Sequence, residues 1–153
     1  MTPMTAVTPV TGSRARRRLT TALAVLSAAA VLLFGLNFLL NPGGAPQGFG
    51  IAPWPQGNAD GYFAVKGVRD VAVASTVFLL LALGQRRALG WVLLVDAVVP
   101  LGDALTVITH GGTFGTALGV HMSAAALVVL CAVLLLTEGG SRATPQPHPS
   151  PSA

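Results

Sequence analysis

The chain has 153 residues, of which 52% are hydrophobic and only 9% charged, and its mean hydropathy is +0.69. A typical soluble domain carries roughly 25% charged residues, so the composition excludes an ordinary soluble globule and points to helices in a lipid bilayer, one compact domain in all. The net charge of +4 does not indicate a nucleic-acid partner, because the basic residues sit where membrane topology places them. The single cysteine, Cys131, excludes an intramolecular disulfide and any Cys-x-x-Cys redox or zinc site. It reads as a small buried residue in an apolar run.

Residues 1–18 are rich in Thr, Pro and Arg and lack apolar periodicity, so they read as a disordered cytoplasmic tail. From Leu19 to Ala59 there is no Asp, Glu, Lys or Arg. Leu19–Leu40, 22 residues, makes a helix roughly 33 Å long, enough for a bilayer core of about 30 Å. Arginines before an apolar run also describe a secretory signal. A 22-residue run exceeds the roughly 7–15 of a signal core, and no clean cleavage site follows, which favours an uncleaved first helix. Asn41-Pro42-Gly43-Gly44 ends it. A Pro- and Gly-rich loop continues through Ala59, long enough to fold over a bundle mouth. Trp54, Tyr62 and Phe63 suit a membrane surface.

The uncharged stretch Val71–Gly84 has only 14 residues, too few to span alone. The second helix must therefore begin earlier, with Asp60 as N-cap and a range of 61–84. That range takes Lys66, Arg69 and Asp70 into the outer part of the bilayer. Gln85-Arg86-Arg87 is an inner turn. The third helix covers 88–109, with Trp91 at the inner surface and a kink from Pro100. His110-Gly111-Gly112 turns the chain, the fourth helix covers 113–136, and the tail at 138–153 reads as disordered. The predicted fold is therefore an all-α integral membrane four-helix bundle over residues 19–137, multi-pass in the cell membrane. Seven arginines, at 14, 16, 17, 18, 86, 87 and 142, fall on one side against Lys66 and Arg69 on the other. This places both termini in the cytoplasm.

Charges in a bilayer cost about 2.5–3.5 kcal/mol each on insertion scales and need a partner or a cavity. Asp96, Asp103 and His110 share one face of the third helix, and Lys66, Arg69 and Asp70 one face of the second. At about 1.5 Å per residue, Arg69, Asp103 and His121 reach a similar depth. Two readings follow. Lys66, Arg69, Asp70 and Asp103 can be a structural ion-pair network with Arg69 paired to Asp103. Alternatively Arg69, Asp96, Asp103 and His121 line a ligand pocket open to the outer face, with a polar head near Arg69. Asp96 has no cationic partner at its depth, so it is protonated or faces water. Gly115, Gly119 and Ser123 form a small-residue stripe that would let a second membrane protein or a second copy approach. No phosphate-binding loop, zinc-hydrolase, nucleophile-elbow or dinucleotide motif occurs. No metal or cofactor is expected.

Lys66-Gly67-Val68-Arg69-Asp70, Arg86-Arg87-Ala88-Leu89-Gly90-Trp91, Pro100-Leu101-Gly102-Asp103, His110-Gly111-Gly112 and His121 together resemble the domain of unknown function 4267 family. The resemblance covers about Asn41 to Leu136. It implies a small four-helix membrane fold, loosely similar to DoxX-like proteins, and no established activity. Some DoxX-like relatives are associated with redox or quinone-linked complexes, a role that a chain without paired cysteines does not support. The expected function is that of an accessory subunit or a binder of a small lipophilic molecule. The alternative is a membrane-embedded isomerase or cyclase, with Asp103 or Asp96 as acid and His121 as base.

Overall fold

A computed structural model describes residues 11–138. Every regular element among them is helical. The first arm is α1 (Thr11–Leu40) and the second α2 (Gly61–Ala82). The third is α3 (Arg86–Asp96) followed by α4 (Val98–Thr109). The fourth begins with the single turn α5 (Phe114–Thr116), widens into a π-helical segment (Ala117–Met122) and ends as α6 (Ser123–Leu136). Short 3₁₀ turns at Ala45–Gly48 and Gly57–Asp60 fold the loop between α1 and α2.

Three stretches, Arg14–Leu40, Arg86–Thr109 and Phe114–Leu136, are long and apolar enough to cross a membrane. At 22 residues α2 is long enough, but Lys66, Arg69 and Asp70 in its first half set it apart from the other three. Leu26, Leu33, Val65, Leu79, Leu105 and Leu130 are each more than half exposed. So much apolar side-chain surface turned outward is foreign to a water-soluble domain.

The first helix starts at Thr11, not at Leu19, so residues 11–18 of the expected tail are helical. Arg and Ala are good helix formers, and the exposed arginines need no partner in water. Residues 1–10 and 139–153, parts of the two expected tails, lie outside the described residues. Asp60 precedes α2 as expected, yet its side chain caps nothing. It already has helical backbone angles at the end of the 3₁₀ turn, so the chain enters α2 directly. The break in the third arm falls at Ala97. Pro100 has no N–H, so the Asp96 carbonyl loses its helical donor and the turn loosens there.

α1 packs along α2, and α3 along α6; α1 also meets α6, and α2 meets α3. The closest approach lies between α1 and α2. A Cβ on Gly35 would stand 2.9 Å from the Asp70 Cβ and 2.9 Å from the Gly67 carbonyl. One on Gly67 would stand 2.8 Å from the Gly35 carbonyl. Each glycine makes room for the other helix's backbone. Gly90 does the same for Leu136 where α3 meets α6.

The arms alternate in direction, which gives the molecule two unlike ends. At one, Arg86 donates to Glu138 from Nε at 2.5 Å and from Nη2 at 2.9 Å, and to Thr21 Oγ1 at 2.8 Å. Thr20, fully buried, donates to Glu138, and Arg16 donates to the Leu134 carbonyl at 3.1 Å. This knot ties α1, α3 and the end of α6 together. Beneath it lies an apolar core of Ala24, Ala28, Val77, Leu89, Leu93, Cys131, Ala132 and Leu135. At the other end the loop after α1 folds inward. Phe49 and Ile51 pack on Ala104, Val107 and Ala117, and Gly112 lies against Gly50.

Candidate functional site

Between the two cores lies a cavity of about 250 Å³. Its walls come from all four arms: Ser27, Val31 and Phe34 of α1, Lys66, Asp70 and Val77 of α2, Leu93, Asp96, Pro100 and Asp103 of the third arm, and His121, Ala124 and Val128 of the fourth. Most of the lining is apolar. The polar groups fall into two sets.

The first set sits toward the loop end and centres on Lys66. Its ammonium donates to Asp70 Oδ2 at 3.1 Å and lies 3.6 Å from Asp103 Oδ2. It also lies 5.5, 5.3 and 5.1 Å from the ring centroids of Phe34, Phe38 and Phe49. Two carboxylates and three aromatic faces thus surround one cation, each interaction strengthened by the scarcity of water around it. Helix geometry explains the choice. Positions 66 and 70 are four apart and share a face, so both reach inward toward Asp103. Arg69 is about a quarter of a turn away from that face. It donates to Asp70 Oδ1 from Nε at 3.1 Å and Nη2 at 3.0 Å and keeps a side chain 43% exposed. The partner of Asp103 is therefore Lys66, and the expected Arg69–Asp103 pair does not form. Of the four residues proposed for a pocket, Asp96, Asp103 and His121 line one cavity, and Arg69 does not.

His121 is buried at the end of the π-helical segment. Its Nε2 lies 3.0 Å from the Phe49 carbonyl, and its ring meets the Phe49 ring edge-on at 4.8 Å. A carbonyl can only accept, so Nε2 carries a proton. His110 lies at the surface turn beyond α4 and is not among the cavity's walls.

The second set lies deeper. Among the described residues, Ser27 Oγ and Asp96 Oδ2 are buried and have no hydrogen-bond partner. Both residues line the cavity. A further hollow of about 170 Å³ lies under the loop, bounded by Pro46, Ile51, Trp54, Tyr62 and Phe63 and also by Lys66. Lys66 thus borders both spaces. Among the described residues, a Cβ on Gly119 would meet nothing within 4 Å and one on Gly115 only Thr113 Oγ1 at 3.7 Å, so neither glycine packs against another helix.

The charged members of this site stand out in the sequence; Ser27, Phe34, Phe38 and Phe49 do not. A signal was present: Ser27, Phe34 and Phe38 are seven and four apart on one face of α1, a polar residue and two aromatics in a stretch, 22–40, that is aliphatic but for them and Asn37. Phe49 lies in a loop, where no periodicity reports which side chain turns inward.

These features belong to a known type of chain. The family model described as a domain of unknown function (DUF4267) matches residues 28–135. The protein is a member of that family, and the matched span includes the whole Lys66 cluster, Asp96, Asp103 and His121. No curated protein and no solved structure matches it.

Proposed function

We propose that the protein is a multi-pass protein of the cell membrane that binds a small amphipathic molecule in the cavity between its arms. The carrying observation is the cavity itself, an apolar chamber with a few fixed polar groups, which is the general character of a small-molecule site. Its size narrows the ligand. A dry apolar cavity of about 150 Å³ accepts benzene, so about 250 Å³ suits a substituted ring better than a diacyl lipid. Between accessory subunit and binder, the cavity favours the binder.

The proposed topology has four spans with both termini cytoplasmic. Arg14, Arg16, Arg17, Arg18, Arg86 and Arg87 gather at the end where α1 begins and α6 finishes, which accords with the positive-inside rule. The second arm enters the bilayer with its charges already paired among Lys66, Arg69, Asp70 and Asp103.

Thermal unfolding of the purified full chain in detergent, with and without benzyl alcohol, tests the binding reading. Ligand at about a hundred times its dissociation constant stabilises the native state by about 2.7 kcal/mol. The wild type should gain stability, and Ala74→Leu, whose side chain grows into the cavity, should not. Equal gains in both would show that the probe acts elsewhere and would remove the proposal. A second reading, an acid/base enzyme, draws on Asp96 and His121 sharing the cavity. It ranks behind because no reaction-specific motif occurs in the sequence.

A further inference from the structure

The polar groups of the cavity differ in what they still need. Lys66, Asp70 and Arg69 are paired with one another, Asp103 Oδ2 lies 3.6 Å from the Lys66 ammonium, and His121 Nε2 is held by the Phe49 carbonyl. A charged head placed among them would compete with these contacts. Among the described residues, Ser27 Oγ and Asp96 Oδ2 are the buried atoms of the cavity's lining that have no partner.

Ser27 is the more telling of the two. A serine or threonine inside a helix ordinarily gives its proton to a carbonyl three or four residues back. Thr21, Ser75, Thr76, Thr106 and Ser123 all do so here. Ser27 does not, although it is only 6% exposed. A buried hydroxyl without a partner costs stability, and alanine, which abounds in this helix, would remove that cost. The two groups also match in level. Ser27 lies thirteen residues before Leu40, the end of α1, and Asp96 thirteen before Thr109, the end of α4. α1 packs on α2 and α6, and α3 packs on the same two, so α1 and α3 stand diagonally with the cavity between them.

We propose that the cavity selects a neutral, hydroxyl-bearing molecule of single-ring size, its hydroxyl bridging Ser27 and Asp96. The inference rests on the binding reading above and names the chemistry of the head. A hydroxyl both donates and accepts, so it can accept from Ser27 and donate to Asp96. An ammonium group cannot accept, and leaves the Ser27 proton unmatched. A bare hydrocarbon matches neither residue. Ala28, Val77, Leu93 and Val128 supply the apolar wall for the ring.

Equilibrium dialysis of radiolabelled benzyl alcohol, toluene and benzylamine against the purified full chain tests this. Wild type should hold benzyl alcohol about tenfold more tightly than Ser27→Ala does, the value of one good hydrogen bond. Toluene should bind both proteins alike, and benzylamine should bind wild type less tightly than benzyl alcohol. Without ligand, Ser27→Ala should unfold at the same or a higher temperature. Asp96→Leu, close in volume, gives an independent second variant and should lose the preference for the alcohol in the same way. If toluene and benzyl alcohol bind wild type equally, or benzylamine binds best, the hydroxyl assignment falls while the binding reading stands. If none of the three binds saturably, the binding reading falls and takes the assignment with it.

Discussion

Lys66 holds the centre of the site, and its two neighbours on α2 separate structural from peripheral charge. Removing Lys66 leaves Asp103 without its ion-pair partner, 21% exposed and flanked by apolar walls. Breaking a buried pair costs about 3–5 kcal/mol, and Lys66→Ala should approach the lower end of that range. Arg69→Ala leaves Asp70 paired to Lys66 and removes a half-exposed partner, so it should cost under about 1 kcal/mol. Thermal unfolding of the two variants side by side checks the order; a larger loss for Arg69→Ala would contradict the Lys66-centred site. Glu138 makes a pH-dependent contribution at the other end. Burial pushes its carboxyl up, but hydrogen bonds from Arg86 and Thr20, with the charges of Arg86 and Arg16, outweigh this and hold it below the ordinary value of 4.5. A depressed folded value means stability that is complete above the unfolded value and lost as pH falls through the folded one. The wild-type melting temperature should therefore drop between about pH 5 and about pH 3 more steeply than that of Glu138→Gln. Parallel profiles would remove Glu138 from the account. The charged residues of the site could be listed from the sequence, because charge in an apolar chain is conspicuous. Which of two basic residues three positions apart meets Asp103 could not, because that depends on helix rotation.

At the scale of the element, Gly35 and Gly67 set the crossing of α1 and α2 and so bring Phe34 and Phe38 of α1 against Lys66. Gly35→Ala and Gly67→Ala each push a Cβ into backbone within 3 Å, and should cost roughly 1–3 kcal/mol through overpacking. Gly119→Ala meets open space and should be neutral or stabilising by up to about 1 kcal/mol through helix propensity. Urea midpoints or melting temperatures of the three variants decide this, and a tolerated Gly35→Ala would contradict the close crossing. Gly115, Gly119 and Ser123 carry a small-residue spacing on the fourth arm. A small-residue spacing alone does not tell a contact face from an outward one, and the pair that matters spans two helices. The apolar helical runs were legible because run length and Pro/Gly punctuation report them directly; the start of α1 at Thr11 was not. The π-helical segment that carries His121 was not, because one widened turn leaves the hydrophobic pattern almost unchanged.

For the whole molecule, the alternation of the arms gathers arginines at one end and the folded loop at the other. In a Cys131→Ala background, Gln85→Cys should react only with reagent supplied from the cytoplasmic side, and Asn58→Cys only from outside. Labelling of position 85 from outside intact cells would overturn the proposed orientation. The number of arms and their order were legible from the sequence, and so was a shared polar region. The chamber between them was not, since a void is defined by side chains from four arms at once and no single segment records it.

The central claim, that this chamber is a binding site for a small hydroxyl-bearing ring, is tested most directly by an experimental structure with para-bromobenzyl alcohol at saturating concentration, the bromine located by its anomalous scattering. The account predicts one bromine site within the cavity, with the alcohol oxygen between Ser27 and Asp96. Bromine found only on the outer surface, or a chamber holding water alone, would contradict it.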